Sequence, residues 1–130
     1  MENKRTFKFN DEELYFNIGL YPNKRIAITC DTLDEPYSDI TINLPNKYID
    51  SVDKIYLDPF IKEIGLQDAL IKDGIVEEII SSENYNFGMY DLVKINFEKL
   101  KEYDSIELEN VLNDIGYVQY IEESFKMWLT

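Results

Sequence analysis

The sequence contains no histidine and a single cysteine, and each shortage excludes a class of chemistry. Without histidine, the chain lacks the commonest general base and the commonest metal ligand of proteins. Cys30 has no second cysteine with which to form an intrachain disulfide. It also continues the alternation of Ile26 and Ile28, which predicts a buried structural thiol rather than a catalytic nucleophile.

Long apolar runs are also lacking. No run approaches the roughly 18 apolar residues of a membrane-spanning helix, and no apolar segment follows Lys4 and Arg5, so we expect neither an anchor nor a secretory signal. Together with the single cysteine, this predicts a cytoplasmic protein. None of the five glycines belongs to a phosphate-binding loop, so no nucleotide cofactor is expected.

Acidic residues are abundant. The chain has 26 acidic and 13 basic residues, a net charge of -13 and a pI near 4.3. Such a surface repels phosphate backbones and anionic lipid, so direct binding of nucleic acid or membranes is not expected, whereas a basic protein partner is favoured. The same surplus also keeps a small protein soluble without any partner. The acidic surplus begins at Asp31.

The first part of the chain alternates apolar and polar residues. This period of two over residues 6–44 predicts an antiparallel β-meander, with turns at residues 10–13, 21–24 and 32–38. In this interpretation DEPYSD is a loop and ITINL is the strand that follows, which Pro45 ends because it has no N–H to donate.

Helix signals and two further strands follow. Asp58 and Pro59 predict the start of a central helix that stops near Gly65 and resumes over residues 67–72. Strands are expected over residues 75–80 and 92–97, separated by a loop or irregular hairpin at residues 81–90.

The C-terminal part has the apolar spacing of helices. Asp104 or Ser105 can cap a helix that ends near Gly116, and a second helix is expected over residues 117–129. The whole chain, residues 1–130, is predicted to be one α+β domain, in which the later strands join the sheet of the meander and the helices pack on it.

Three segments resemble a known family: DEPYSDITINLPN, DPFIKEIGLQDALIKDGIVEEII and YDLVKINFEKLKEYD. The family consists of small uncharacterised proteins from Firmicutes, filed as a domain of unknown function and often encoded near phages, plasmids and conjugative elements. The resemblance covers residues 14–104 and leaves residues 105–130 as a C-terminal extension. It implies no catalytic residue, but it implies a mobile genetic element, a setting in which small acidic proteins often block host defence enzymes.

Two kinds of residue are candidates for a partner-binding surface. Acidic side chains would meet a basic surface, and exposed aromatic side chains would anchor it. The residues predicted to contact the partner are Asp31, Asp34, Glu35, Asp39, Tyr85, Phe87, Tyr90, Glu107, Glu109, Asp114, Tyr117, Tyr120, Glu122 and Glu123. The alternatives are a solvated turn for the first acids and core packing for the aromatics.

No catalytic or metal-binding residue is predicted. Adjacent acids such as Glu77 and Glu78 point in different directions, so a pair in sequence is not a pair in space. The acids of residues 31–39 also lack the ligand spacing and the central glycine of an EF-hand loop.

The sequence therefore predicts a non-enzymatic protein-binding module that occupies a basic groove normally filled by nucleic acid. In the setting that the resemblance implies, this would be an anti-defence inhibitor of the anti-CRISPR or antirestriction type, acting on a nucleic-acid-handling host enzyme. The alternatives are a regulatory or structural adaptor that acts as a homodimer, and, less favoured, a small metal-dependent or carboxylate enzyme.

Overall fold

A computed structural model describes residues 5–116 of the chain. These residues form two four-stranded antiparallel sheets and the helices that pack on them, which confirms the α+β class and the N-terminal β-meander. The first sheet contains, in spatial order, β1 (Phe7–Phe9), β2 (Glu12–Leu20), β3 (Ile26–Asp31) and β4 (Pro36–Asp39). The second contains β5 (Thr41–Ile42), β6 (Lys54–Leu57), β8 (Gly88–Ile95) and β7 (Val76–Tyr85), also in spatial order.

The first sheet follows from the alternation in the sequence. Phe16 pairs with Cys30 and Ile18 with Ile28, so the apolar residues of β2 and β3 share one face. The turn between β1 and β2 holds Asn10 at φ 47° and Asp11 at 65°, left-handed values that these residue types tolerate.

Residues 36–39 were predicted as part of a loop, and this prediction is wrong, because they form β4 at the edge of the first sheet. Only one neighbour, β3, pairs with this strand, and a proline is tolerated on an edge strand. The connection is therefore shorter than expected and comprises residues 32–35.

Ile40 joins the two sheets. Its N–H donates to the carbonyl oxygen of Ile28 in the first sheet at 2.9 Å, and its own carbonyl accepts the N–H of Asp58 at 3.0 Å. The next two residues already belong to β5, which pairs with β6. The later strands thus form a second sheet of their own beside the meander.

The segment at residues 81–90 is a hairpin, one of the two forms expected. Strands β7 and β8 pair from Val76 to the tip, where Asn86 has φ 53° and Phe87 is fully exposed. The pairing register of β7 shifts twice, between Val76 and Glu78 and again between Ile79 and Ser81.

Four helices are present in the described residues: α1 (Pro59–Glu63), α2 (Leu66–Asp73), α3 (Phe97–Lys101) and α4 (Ser105–Asp114). The predicted caps are confirmed, because the carboxylates of Asp58 and Asp104 accept N–H groups from the first turns of α1 and α4. The strand predicted to reach Phe97 ends at Ile95, since Asn96 caps α3 instead. The helix predicted at residues 117–129 lies outside the described residues.

The main core lies between the apolar faces of the sheets and the helices. Leu14, Phe16, Leu70, Leu100 and Leu108 are among its most deeply buried members. A smaller cluster of Leu44, Tyr56 and Leu92 covers the other face of the second sheet. Within the described part of the chain, no helix is both long and apolar enough to span a membrane.

Candidate functional site

The outer face of the first sheet carries two of the predicted acidic residues. Asp39 on β4 is paired with Thr29 on β3, which is paired with Asn17 on β2. Residues that pair across antiparallel strands lie on the same face, and Asp31 follows two residues after Thr29 on that face. The structure therefore brings Asp31 and Asp39 together, on the side of the sheet away from the core.

Asn17 fixes the carboxylate of Asp31. Its side-chain Nδ2 donates to Asp31 Oδ2 at 2.7 Å and to the hydroxyl oxygen of Thr29 at 3.3 Å. An amide donor orients a carboxylate without neutralising its charge. The carboxylate of Asp31 is therefore held in one direction.

The connection between β3 and β4 forms an acidic loop, residues 32–35. The N–H of Thr32 donates to the carbonyl oxygen of Glu35 at 2.8 Å, and the N–H of Glu35 donates back to the Thr32 hydroxyl at 3.2 Å. The two central residues, Leu33 and Asp34, stand at the tip, where Leu33 is 81% exposed. The closed turn thus presents an apolar side chain among carboxylates.

A shallow concavity of about 500 Å³ lies on this part of the sheet, and we call it the acidic groove. The residues that line it are Asn17, Thr29, Cys30, Asp31, Pro36, Tyr37, Ser38 and Asp39. None of them is basic, and the sequence has no lysine or arginine between Arg25 and Lys47. The groove and the acidic loop together therefore carry four carboxylates with no basic residue close to them in sequence.

Ion pairs lie on other surfaces. Seven pairs join basic and acidic side chains in the described residues, and their acidic partners are Asp50, Glu77, Glu83, Asp91, Glu102 and Glu109. Within residues 5–116, none of Asp31, Asp34, Glu35 and Asp39 takes part in such a pair. The negative charge of the groove is thus left for solvent ions or for a partner.

Cys30 lies beneath the groove and is only 1% exposed, which confirms the predicted burial of its thiol. Burial raises the pKa of Cys30 to about 11, and the negative charges of Asp31 and Asp39 oppose its ionisation further. A neutral thiol is a poor nucleophile. The groove therefore does not contain an activated cysteine.

The predicted aromatic residues lie on the β7–β8 hairpin of the second sheet, and not on the strands that carry the groove. Tyr85 and Tyr90 pack edge to face with their ring centroids 6.3 Å apart, and both support the smaller core cluster. Phe87 is fully exposed at the tip. Only Phe87 among these three has the exposure of an anchor.

The predicted acidic residues of α4 are the third group of candidates. Glu107 accepts the backbone N–H of Ile18 at 2.9 Å, and Glu109 pairs with Lys101 at 3.6 Å. Asp114 is exposed at the end of the helix. Because α4 packs on the core side of β2, its acids do not join the groove on the outer side. The remaining candidates, Tyr117, Tyr120, Glu122 and Glu123, lie outside the described residues.

Sequence reasoning missed Asn17, Leu33 and Tyr37, which complete this surface. Asn17 lies on the outer face of β2 between Tyr15 and Gly19, but only the pairing of β2 with β3 shows that it meets Asp31. Leu33 gave a usable signal, because it is the one apolar residue of a polar turn.

Neither metal binding nor homology identifies the site. In residues 5–116, no group of three or more acidic or cysteine side chains is arranged to hold a metal ion. Comparisons of the chain with family models, with curated proteins and with solved structures found no match.

Proposed function

We propose that this chain is a non-enzymatic protein-binding module whose acidic groove and acidic loop bind a basic surface of another protein. The observation that supports this most strongly is the set of four carboxylates, Asp31, Asp34, Glu35 and Asp39, without ion-pair partners among the described residues. Asp31 is also fixed by Asn17, so part of the charge is oriented before any partner arrives.

Electrostatic attraction alone gives fast association and weak retention. Leu33 at the tip of the acidic loop and Tyr37 in the groove supply apolar surface beside the carboxylates. Burial of these side chains by the partner would slow dissociation, since desolvated apolar contacts usually determine the off-rate.

The proposed partner is a nucleic-acid-handling enzyme of the host. A basic surface that holds a phosphate backbone is complementary in charge to these four carboxylates, and the resemblance to proteins of mobile elements supplies the biological setting. In that form the chain would be an anti-defence inhibitor of the anti-CRISPR or antirestriction type, which competes with nucleic acid for that basic surface.

Affinity capture from a host lysate tests this proposal with three baits. The first is the unmodified chain, and the second is a groove variant with Asp31→Asn, Asp34→Asn, Glu35→Gln and Asp39→Asn. The third is a control variant with the same change in net charge on other exposed acids, namely Asp11→Asn, Glu12→Gln, Asp68→Asn and Glu98→Gln.

We expect the unmodified chain and the control variant to capture the same basic protein at about 50 mM salt and to lose it by about 150 mM to 300 mM, as ions screen the contact. The groove variant should not capture it, and added nucleic acid should displace it. Equal capture by both variants would contradict a role for the groove, and capture that is insensitive to salt would contradict the electrostatic basis.

A second candidate, a regulatory or structural adaptor that acts as a homodimer, is favoured by one observation. Strand β7 is one of the two outer strands of the second sheet and exposes Ile79 and Ile80. An exposed apolar edge can pair with a second copy. Light scattering at several protein concentrations distinguishes this adaptor from the proposed inhibitor, since a chain that stays monomeric at every concentration cannot be a homodimeric adaptor.

A further inference from the structure

Asp91 occupies a position where the fold otherwise places apolar residues. Alternate residues of a strand share a face, so Asp91, Val93 and Ile95 of β8 point to the same side. Val93 and Ile95 are buried in the main core, and Asp91 is itself only 5% exposed. A buried carboxylate on a core-facing strand is costly, and departures of this kind concentrate at functional sites.

Three donors hold the carboxylate of Asp91. The Ser82 hydroxyl donates to Oδ1 at 2.6 Å, and the side-chain amide of Gln67 donates to Oδ2 at 2.8 Å. The Nζ of Lys62 also reaches Oδ2, at 3.3 Å. Burial opposes the ionisation of Asp91, but these hydrogen bonds outweigh it and lower its pKa, so the carboxylate is charged at neutral pH.

The carboxylate forms part of the wall of a cleft between α1 and the second sheet. The cleft has a volume of about 240 Å³ and is lined by Leu57, Pro59, Lys62, Glu63, Gln67, Met89 and Asp91. Three of these side chains are apolar, and the two acids outnumber the one base. The cleft therefore combines apolar walls with a net negative charge.

Among the described residues that line the cleft, the one positive charge is that of Lys62. The side chain of Lys62 is 61% exposed. Of the other two donors to Asp91, Gln67 is 2% exposed, and Ser82 on the neighbouring strand is exposed. The ammonium of Lys62 is largely in solvent, although Asp91 is buried. A second ammonium can therefore replace it without leaving the charge of Asp91 uncompensated, while Gln67 and Ser82 keep the carboxylate in place.

We infer that this cleft binds a primary ammonium group on an unbranched apolar stem, such as a lysine side chain of a partner protein, in the place that Lys62 occupies. The stem would lie against Leu57, Pro59 and Met89, and the ammonium would take the position near Asp91 Oδ2. A lysine side chain has this combination of apolar stem and compact charge.

The hydrogen bonds of Asp91 favour an ammonium over a guanidinium group. A guanidinium binds a carboxylate best through two parallel N–H donors, one to each oxygen. Ser82 and Gln67 already take one acceptor site on each oxygen, so a planar guanidinium would have to fit beside both donors, whereas an ammonium needs only the site on Oδ2 that Lys62 uses. This site belongs to the second sheet and does not depend on the acidic groove of the first sheet.

A titration of the isotope-labelled protein with n-butylammonium chloride, followed by nuclear magnetic resonance, tests the inference. We expect saturable shifts of the backbone amide signals of Gln67, Ser82 and Asp91. 1-Butanol, which has the same stem without the charge, and sodium chloride at matched ionic strength should not produce them. Methylguanidinium should produce weaker shifts, because its planar group would crowd the donors that already bind both oxygens of Asp91.

Two matched variants separate binding from a purely structural ion pair. Lys62→Met removes the resident ammonium, and Lys72→Met removes the same charge from an exposed position of α2 that is outside the cleft. We expect Lys62→Met to increase the affinity for n-butylammonium by about two- to fivefold, the range that corresponds to a partly exposed ion pair, and Lys72→Met to leave it unchanged.

Several results would overturn the inference. One is the absence of saturable shifts at the cleft in the unmodified chain and in Lys62→Met alike. Another is an equal response to 1-butanol, which would indicate an apolar cleft without a role for charge. A third is equal affinity in the Lys62→Met and Lys72→Met variants, which would mean that the ligand does not take the place of Lys62.

Discussion

The carboxylate of Glu107 accepts a hydrogen bond from the backbone N–H of Ile18 at 2.9 Å, so a side chain of α4 holds this helix to β2. Glu107→Ala would leave that N–H without its acceptor in a partly buried position. We therefore expect the free energy of unfolding to fall by about 1 to 3 kcal/mol, the usual cost of losing one partner of such a bond. Urea denaturation followed by circular dichroism measures it.

The matched control is Glu109→Ala, two residues along the same helix. Glu109 forms only a surface ion pair with Lys101, so its removal should change the stability by less than about 1 kcal/mol. Similar losses in the two variants would mean that the effect comes from the helix propensity or charge of α4 and not from the contact with Ile18.

Asp91→Ala should be among the most destabilising substitutions of a charged residue in this chain. It leaves the buried amide of Gln67 without the acceptor that it now has, and we expect a loss of about 2 to 4 kcal/mol at neutral pH. Lys62→Ala, which removes the exposed partner, should cost less than about 1 kcal/mol. Urea denaturation of both variants gives the comparison.

The contribution of Asp91 to the free energy of unfolding should depend on pH, and the sign of this dependence is defined. The pKa of Asp91 is lowered in the folded protein from the ordinary value of 3.8, so its contribution is complete above that value and is lost as the pH falls through the folded pKa. The stability difference between the unmodified chain and Asp91→Ala should therefore shrink in strong acid. A difference that is constant from neutral pH to pH values well below 3.8 would contradict the ionised carboxylate.

Cys30 should resist thiol reagents in the folded protein. Burial raises its pKa from 9.0 to about 11, so at pH 8 the thiol is neutral and covered, and labelling should follow only after unfolding. The neutral thiol also favours the folded state below pH 9, and this contribution should disappear as the pH rises toward 11. Labelling rates with and without urea, measured with a chromogenic disulfide, test the protection of the thiol.

The labelling rates of Cys30 with and without urea decide whether the fold protects the thiol. Rapid labelling without denaturant would show that the strands above the thiol open easily. The floor of the acidic groove would then be chemically reactive. In Cys30→Ala, which removes the titrating group, the loss of stability between pH 9 and 11 should be smaller than in the unmodified chain.

Local signals in the sequence predicted most of the regular elements. The helix caps at Asp58 and Asp104 need only a carboxylate and the following backbone N–H groups, so a short stretch of sequence contains them. The same is true of the alternation in β2 and β3. The separation into two sheets has no such local signal, because it depends on the hydrogen bonds that Ile40 makes with Ile28 and Asp58.

The candidate sites were predicted less completely than the fold. The acidity of residues 31–39 is visible in the sequence, but the bond from Asn17 to Asp31 depends on the pairing of β2 with β3. Asp91 was missed for a similar reason. The strand was predicted to begin at Leu92, whereas β8 begins at Gly88, so the alternation that places Asp91 on the same face as Val93 was not extended to Asp91.

Gly74 and Gly19 provide a final comparison, because alanine should have opposite effects at the two positions. Gly74 ends α2 with φ 95°. An added Cβ would meet the side chain of Lys99 at ordinary distances, 3.8 Å from Cγ and 4.0 Å from Cε, so the cost of Gly74→Ala is in the backbone, about 1 to 2 kcal/mol. Gly19 lies in β2 with open space around its Cα, and Gly19→Ala should stabilise the protein by about 0.4 to 1 kcal/mol, since it restricts the unfolded chain. Thermal unfolding of both variants measures the two effects. Destabilisation by Gly19→Ala would mean that other atoms crowd the added methyl group, contrary to the open space around Gly19.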